Sequence, residues 1–341
     1  MKMNFVFCFG MMMFLIFHDC SPHRIPPIEP EVISENTLHD TDDPAIWVHP
    51  SDPSQSIVFG TDKDTNGAVY AFNLQGKVME GKTIRGLKRP NNVDVEYGFR
   101  LNDSTLIDIL VVTERERQQL RIYSVPDMKA VDGGGIPVFE DEAEVGNRLP
   151  MGVGLYKSTY DSVVYAVVSR KTGPPEQYLY QYALKSNGSE ITAGAPRKFG
   201  AFSGKGEIEA IAVDDELAYI YYSDEGIGIR KYHAEPTRGN GELALFGGRY
   251  FREDIEGIAI VEGEGRMGYL VVSDQQQGLF NVFNRGDNAF VKAINLGTQE
   301  TDGCDAVATP LDTTFSGGLF VAMNDDRNFF FYKLDKLGLS D

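Results

Sequence analysis

The chain has 341 residues, with 32 Lys and Arg against 50 Asp and Glu, for a net charge of −18. A surface this acidic repels nucleic acid and anionic membranes, and an anionic substrate would need a cation to mediate its approach. The length allows one large domain or two, and 36 glycines suit a fold with many tight turns.

Residues 1–20 read as an export signal. Lys2 supplies a minimal basic start, and residues 5–17 are almost continuously apolar but too few to span a bilayer as a helix. Cys20 stands where a lipoprotein signal carries its lipidated cysteine, although Phe17-His18-Asp19 replaces the small residues usual there. Cleavage by either route removes Cys8 and leaves Cys304 without an obvious partner. Neither a disulfide framework nor a Cys-x-x-Cys zinc site is then available. The chain is expected to be exported: secreted, periplasmic or lipid-anchored at the cell envelope, with no transmembrane span in its mature form. Residues 21–34, rich in proline, read as a tether, and residues 35–341 as the folded domain.

Asp40-Thr41-Asp42-Asp43 packs three carboxylates into four residues, directly before Pro44 and the single tryptophan, Trp47. Carboxylates this close repel one another unless a cation or a set of donors lies among them. A hard cation such as Ca²⁺ takes about six to eight oxygens, so the missing ligands must come from other turns. A solvated acidic turn ahead of a strand is the plain alternative.

Beyond residue 40 the chain repeats a cycle of short strands. Acidic or glycine turns open it at residues 43–46, 92–95, 151–154, 209–212, 256–259 and 305–308. Apolar strands follow at 56–61, 108–113, 163–169, 218–223, 269–273 and 319–323, and strands of alternating aromatics close each cycle. The cycle recurs roughly every 47–59 residues, which predicts an all-β, six-bladed β-propeller with four-stranded antiparallel blades around a central channel. WD dipeptides and kelch glycine pairs are missing. If the blades superpose, one channel end collects Asp42, Asp43, Asp94, Glu209, Asp254, Glu256, Asp302 and Asp305. Lys63, Arg115 and Lys171, each just after a second strand, are interleaved with them.

The residues exclude several chemistries. None of the five histidines lies in Arg-His-Gly, no Cys is followed six residues on by Arg, and no Gly-x-Ser-x-Gly elbow exists. Pro44 breaks the aspartyl-phosphate pattern that Asp40-Thr41-Asp42 begins. Water activated by a metal remains, and suits a site rich in carboxylates. Asp254 and Glu256 would share one face of a strand, as ligands or as a solvated edge. Lys63, Arg115 and Lys171 in register suggest an anion clamp, each of them alone being ordinary surface charge. Lys88-Arg89 adds basic charge before the second blade. Cys304 reads as a small buried filler.

Two motifs, Asp42-Asp43-Pro44-Ala45-Ile46-Trp47 and Asn91-Asn92-Val93-Asp94-Val95-Glu96-Tyr97, resemble the paired signatures of the β-propeller phytases. Arg252-Glu253-Asp254-Ile255-Glu256-Gly257, Glu300-Thr301-Asp302-Gly303 and Ala234-Glu235-Pro236 look like later landmarks of that family, and the likeness covers residues 35–335. It implies a calcium-dependent phosphatase of the 3-phytase type, acting on phytate (inositol hexakisphosphate) or calcium-phytate as a monomer. Water bridging several Ca²⁺ ions would attack phosphorus directly, without a phosphoenzyme. The implied calcium ligands are Asp43, the carbonyls of Pro44 and Val93, Glu209, Asp254, Glu256, Gln275 and Asp302. Lys63, Arg115 and Lys171 would grip phosphate oxygens, and Asp224 or Glu225 would be the active-site acid. Leu149-Pro150-Met151-Gly152 departs from the family, which tends to have polar residues and a Tyr there, and Asp64 follows Lys63 where a second basic residue is common. Two other readings fit an acidic channel mouth. One is a calcium-dependent lactonase or esterase propeller with a single central metal; the other is a non-catalytic propeller stabilised by calcium.

Overall fold

The computed structural model describes residues 25–339 apart from Glu253. The export signal expected over residues 1–20 lies outside the described residues. Six antiparallel sheets follow one another along the chain as six blades. Each blade begins with an inner strand: Thr41–Trp47, Pro90–Asn102, Pro150–Lys157, Ile211–Asp214, Ile255–Glu262 and Cys304–Val307. Each inner strand pairs with a second strand: Ile57–Asp62, Thr105–Glu114, Val164–Arg170, Tyr219–Asp224, Gly268–Asp274 and Leu319–Asn324. Five sheets have four strands. The third has five, because Glu176–Ser186 pairs with both Ile191–Ala193 and Arg197–Ala201.

The ring closes on the stretch expected to be a tether. Val32–Ile33 forms the outer strand of the sixth blade, with Val32 opposite Phe331 and Ile33 opposite Phe330. Ile28 N–H donates to the Asn295 carbonyl, and Glu31 N–H to that of Phe331, both at 2.9 Å. The tether expectation is therefore corrected for residues 25–34. Val32 packs on the apolar cluster between the sixth and first blades, and Ile28 on the one between the fifth and sixth.

Among the described residues there is no single central core. The apolar strands make six clusters, one at each blade-to-blade contact. Strand alternation explains this: side chains on the two faces of every blade pack on the two neighbouring blades. Trp47 belongs to the cluster between blades one and two, and its Nε1–H donates to Asp108 Oδ2 at 2.8 Å. The inner strands of blades one, two, three and five carry the same register shift near one end, between Thr41 and Pro44, Pro90 and Val93, Pro150 and Val153, and Ile255 and Ile258. Such bulges bend a strand and re-aim its side chains, and here they fall at one mouth of the channel. Among the described residues no helix is long and apolar enough to cross a membrane.

Candidate active site

Strand register gives the mouth its order. Pro44, Val93, Val153, Ile211, Ile258 and Cys304 sit opposite Gly60, Val112, Val168, Tyr222, Val272 and Ala322, and are therefore equivalent. Two residues earlier in each blade come Asp42, Asn91, Met151, Glu209, Glu256 and Asp302, one inner-ring residue per blade. Directly after each second strand come Lys63, Arg115, Lys171, Glu225, Gln275 and Asp325, which form an outer ring.

Hydroxyls near the ends of the second strands fix these positions. Thr61, Thr113, Ser169 and Ser273 accept from the N–H of Asp43, Asn92, Gly152 and Gly257, donors that the bulge leaves outside the ladder. Three of them also donate to the next blade: Thr113 to Met151 O at 2.7 Å, Ser169 to Ile208 O at 2.6 Å and Ser273 to Thr301 O at 3.0 Å. The acidic ring thus rests on a chain of inter-blade hydrogen bonds. A side chain at Gly152 would overlap the Glu209 carbonyl, so the blades meet there backbone to backbone.

The inner ring is acidic and largely dry. Asp42, Glu209 and Glu256 are buried, and Asp302 nearly so. Lys63 stands among them, its Nζ 3.1 Å from both Asp42 Oδ2 and Asp302 Oδ2. Gln275 Nε2 donates to Asp302 Oδ1. Arg115 donates to Asn91 Oδ1, and Asn91 Nδ2 donates in turn to Glu209, so the amide links a blade-two cation to a blade-four carboxylate. Lys171 pairs with Glu207. Asp42 Oδ1 and Glu256 Oε2 are buried with no hydrogen-bond partner among the described residues.

This crowding shifts protonation. Burial holds Asp42 well above the ordinary carboxylate range; Lys63 opposes the shift, and Glu209 and Asp302 add to it. Burial does the same to Glu256, reinforced by Glu209, Glu225 and Asp302. Asp302 is raised to about 6 by burial, against the pull of Lys63. Glu225 is raised to about 7 by burial, with Asp254, Glu207 and Glu209 adding to it. For Lys63, burial alone would lower the pKa, but Asp42, Glu209 and Asp302 outweigh it and keep the ammonium charged. Without a cation the mouth therefore favours holding protons. Its donors are oxygens from several blades, two of them orphaned, which suits a hard cation. Among the described residues no three His, Cys, Asp or Glu side chains gather tightly enough to hold an ion alone. An ion there would complete its shell with carbonyls, water or substrate oxygens.

The structure divides the expected ligands. Glu209, Glu256, Gln275 and Asp302 surround the mouth with Lys63, Arg115 and Lys171. Asp43, Pro44 and Val93 instead line a channel cavity of about 570 Å³, together with Asp94 and Asp305. Those three acids join neighbouring blades. Asp43 Oδ2 accepts from Val93 N–H at 3.1 Å, Asp94 Oδ2 from Leu155 N–H at 2.7 Å and Asp305 Oδ2 from Ile46 N–H at 2.8 Å. Asp94 and Asp305 are thus channel-wall residues rather than members of the mouth. Asp254 precedes its strand, which starts at Ile255, so strand alternation does not pair it with Glu256; it lies beside Glu225, held by Gln276 Nε2 at 2.7 Å. Asp224 turns away to accept from Ser203 N–H and Oγ–H and from Arg230 Nε, whereas Glu225 faces the carboxylates. Asn91, Glu207 and the hydroxyl series are site residues that the sequence reading did not assign. The recurring Ser or Thr one residue before the end of the second strand was the available signal for the hydroxyls.

A family profile described as Phytase matches residues 25–329. The chain is 30% identical over 302 residues to a 3-phytase of Bacillus subtilis (strain 168), covering 84% of this chain and 75% of that protein. With the profile spanning residues 25–329 and the relative covering 84% of the chain, the chain belongs to the phytase family.

Proposed function

We propose that this member of the phytase family is a calcium-dependent phosphomonoesterase of the 3-phytase type, acting on inositol hexakisphosphate or its calcium complex at the acidic mouth. One observation carries the proposal: four blades bring Asp42, Glu209, Glu256 and Asp302 to equivalent positions around Lys63, with Arg115 and Lys171 in register on the next two blades. Glu209, Glu256 and Asp302, with Asp42, Asp254 and Gln275 beside them, are the residues that would hold calcium there. Asp43 and the Pro44 and Val93 carbonyls would hold a separate ion that ties blade one to blade two. Bound calcium supplies positive charge that draws an anionic substrate to an acidic protein, polarises the phosphoryl group and makes water more acidic.

The remaining work falls to the chain's own side chains. Lys63 Nζ, 3.1 Å from Asp42 and from Asp302, stands at the mouth where it would donate to a phosphate oxygen, and those two carboxylates are among the residues that would hold calcium. Arg115 offers a guanidinium fork suited to phosphate, aimed by Asn91. Lys171 lies at the more exposed edge and gives a mobile point charge. Glu225, held near neutral pH between its two states, can carry a proton for water or for the leaving alkoxide. Met151 puts an apolar side chain at the third-blade position, so that blade contributes only its outer-ring cation.

Phosphate release from inositol hexakisphosphate should require calcium and cease in chelator, while a lactone offered in parallel should not be hydrolysed. Equal phosphate release in chelator would remove the metal from the account, and lactone hydrolysis without phosphate release would favour the esterase alternative.

A further inference from the structure

Lys231 lies on Gly228–His233, the third strand of blade four, three residues from the Gly228 end that pairs with Asp224. It is only 6% exposed. Its Nζ stands 3.9 Å from the centroid of the Tyr219 ring and 5.2 Å from that of Tyr221, and it donates to Asn288 Oδ1 of blade five at 3.1 Å. Among the described residues no carboxylate pairs with it. Asp214, whose charge reaches it, is held by Arg285, with Nε and Nη2 each donating at 2.7 Å. Arg266 on blade five repels the amine, and a charged His233 at the end of its own strand would do the same. Burial, with Arg266 second, lowers the Lys231 pKa to about 8. At neutral pH the group is therefore still an ammonium, without a counter-charge.

Two more donors face the same space. Tyr221 is fully buried and its hydroxyl has no hydrogen-bond partner among the described residues; nor has Asn288 Nδ2. Burial raises the Tyr221 pKa, with the Asn288 amide beside it opposing the rise, so the hydroxyl keeps its proton. Turning the amide over does not mend this. Its Oδ1 is taken by the ammonium, and the turn would set Nδ2 against that charge. An ammonium, a phenol and an amide N–H thus converge with no acceptor left for them. Buried donors in this state cost the fold free energy. A water molecule would accept from two of them, but it brings two donors of its own and no negative charge.

We propose that Lys231, Tyr221 and Asn288 form a halide site between blades four and five, which takes a chloride ion. A monatomic anion is all acceptor, balances the ammonium and is small enough to lie among packed rings, where phosphate is not. None of the three residues belongs to the mouth, so the ion ties blade five to blade four without entering the reaction. Its affinity should fall as pH rises beyond about 8, where the ammonium is lost.

The test uses the full chain with calcium and compares sodium chloride with sodium gluconate at equal ionic strength, gluconate being too large to enter. Wild type should melt about 2 °C or more higher in chloride at pH 7, and the difference should shrink above about pH 8. Lys231→Met should abolish the difference between the two salts, whatever its own melting temperature. Tyr221→Phe, which keeps the ring, should reduce it by about half. Phosphate release from inositol hexakisphosphate should be the same in both salts. Crystals grown in bromide should show the ion, by its anomalous scattering, within hydrogen-bond distance of Lys231 Nζ, Tyr221 Oη and Asn288 Nδ2. Equal melting of wild type in the two salts, a difference that persists in Lys231→Met, or crystals with no bromide at this place would overturn the proposal.

Discussion

Blades one to three and blades four to six share one backbone plan but offer opposite chemistry at the same two positions. The outer ring reads Lys63, Arg115, Lys171 on the first three and Glu225, Gln275, Asp325 on the last three. The inner ring reads Asp42, Asn91, Met151 and then Glu209, Glu256, Asp302. One half is built to meet anions and the other to meet cations. They join at blade one, where Lys63 lies between Asp42 and Asp302. A propeller does not impose this polarity; it repeats a register, and side chains in that register assign each half its partner. The proposed substrate, with many phosphates bridged by calcium, would engage both halves together.

The largest break should come from the acidic half. Glu256→Gln keeps the volume but removes a carboxylate ligand whose Oε2 has no hydrogen-bond partner among the described residues. Phytate hydrolysis should fall about a hundredfold or more. Because burial already favours the neutral carboxyl, the melting temperature in chelator should hold or rise. Loss of stability with unchanged rate would make Glu256 a structural residue. On the basic half, Arg115→Ala should lower kcat/KM at least about tenfold, roughly 1.4 kcal/mol, measured by steady-state kinetics at saturating calcium.

A third test separates adjacent residues. Asp224→Ala strands two donors of Ser203 and one of Arg230, and should cost about 2–3 kcal/mol in denaturant unfolding with little change in kcat. Glu225→Gln should do the reverse. A smaller and more diffuse effect concerns pH. Asp302 and Asp305 are raised to about 6, Glu225 to about 7 and Asp94 to about 8, in each case with burial as the leading cause. The folded state therefore holds these protons more tightly than the unfolded chain does. In chelator, stability should be greatest below about pH 4 for these groups and decline as pH rises toward 6–8. Calcium should flatten or reverse that slope, and melting curves across pH with and without the ion would show whether it does.

Much of the fold was legible in the sequence because each blade carries the same succession of turn, apolar strand and aromatic strand. Phase was harder to read. The repeat as read from sequence aligns Asp43 with Glu209 and Glu256, whereas register aligns Asp42 with them, a one-residue slip that moves a side chain from mouth to channel. Asp305 is out of phase by three residues, because Asp302 holds its blade's place. The choice between Asp224 and Glu225 also turned on phase, and depended on where a strand ends. The closing strand Val32–Ile33 was missed because two residues in a proline-rich stretch carry no periodic signal, and their partner lies about 300 residues on.

The calcium activation curve of phytate hydrolysis, run on wild type and Glu256→Gln side by side, tests the central claim most directly. The account predicts no activity in chelator for either protein and a curve for Glu256→Gln displaced to higher calcium, with at most partial recovery of the maximal rate. Superimposable curves, or full activity in chelator, would contradict it.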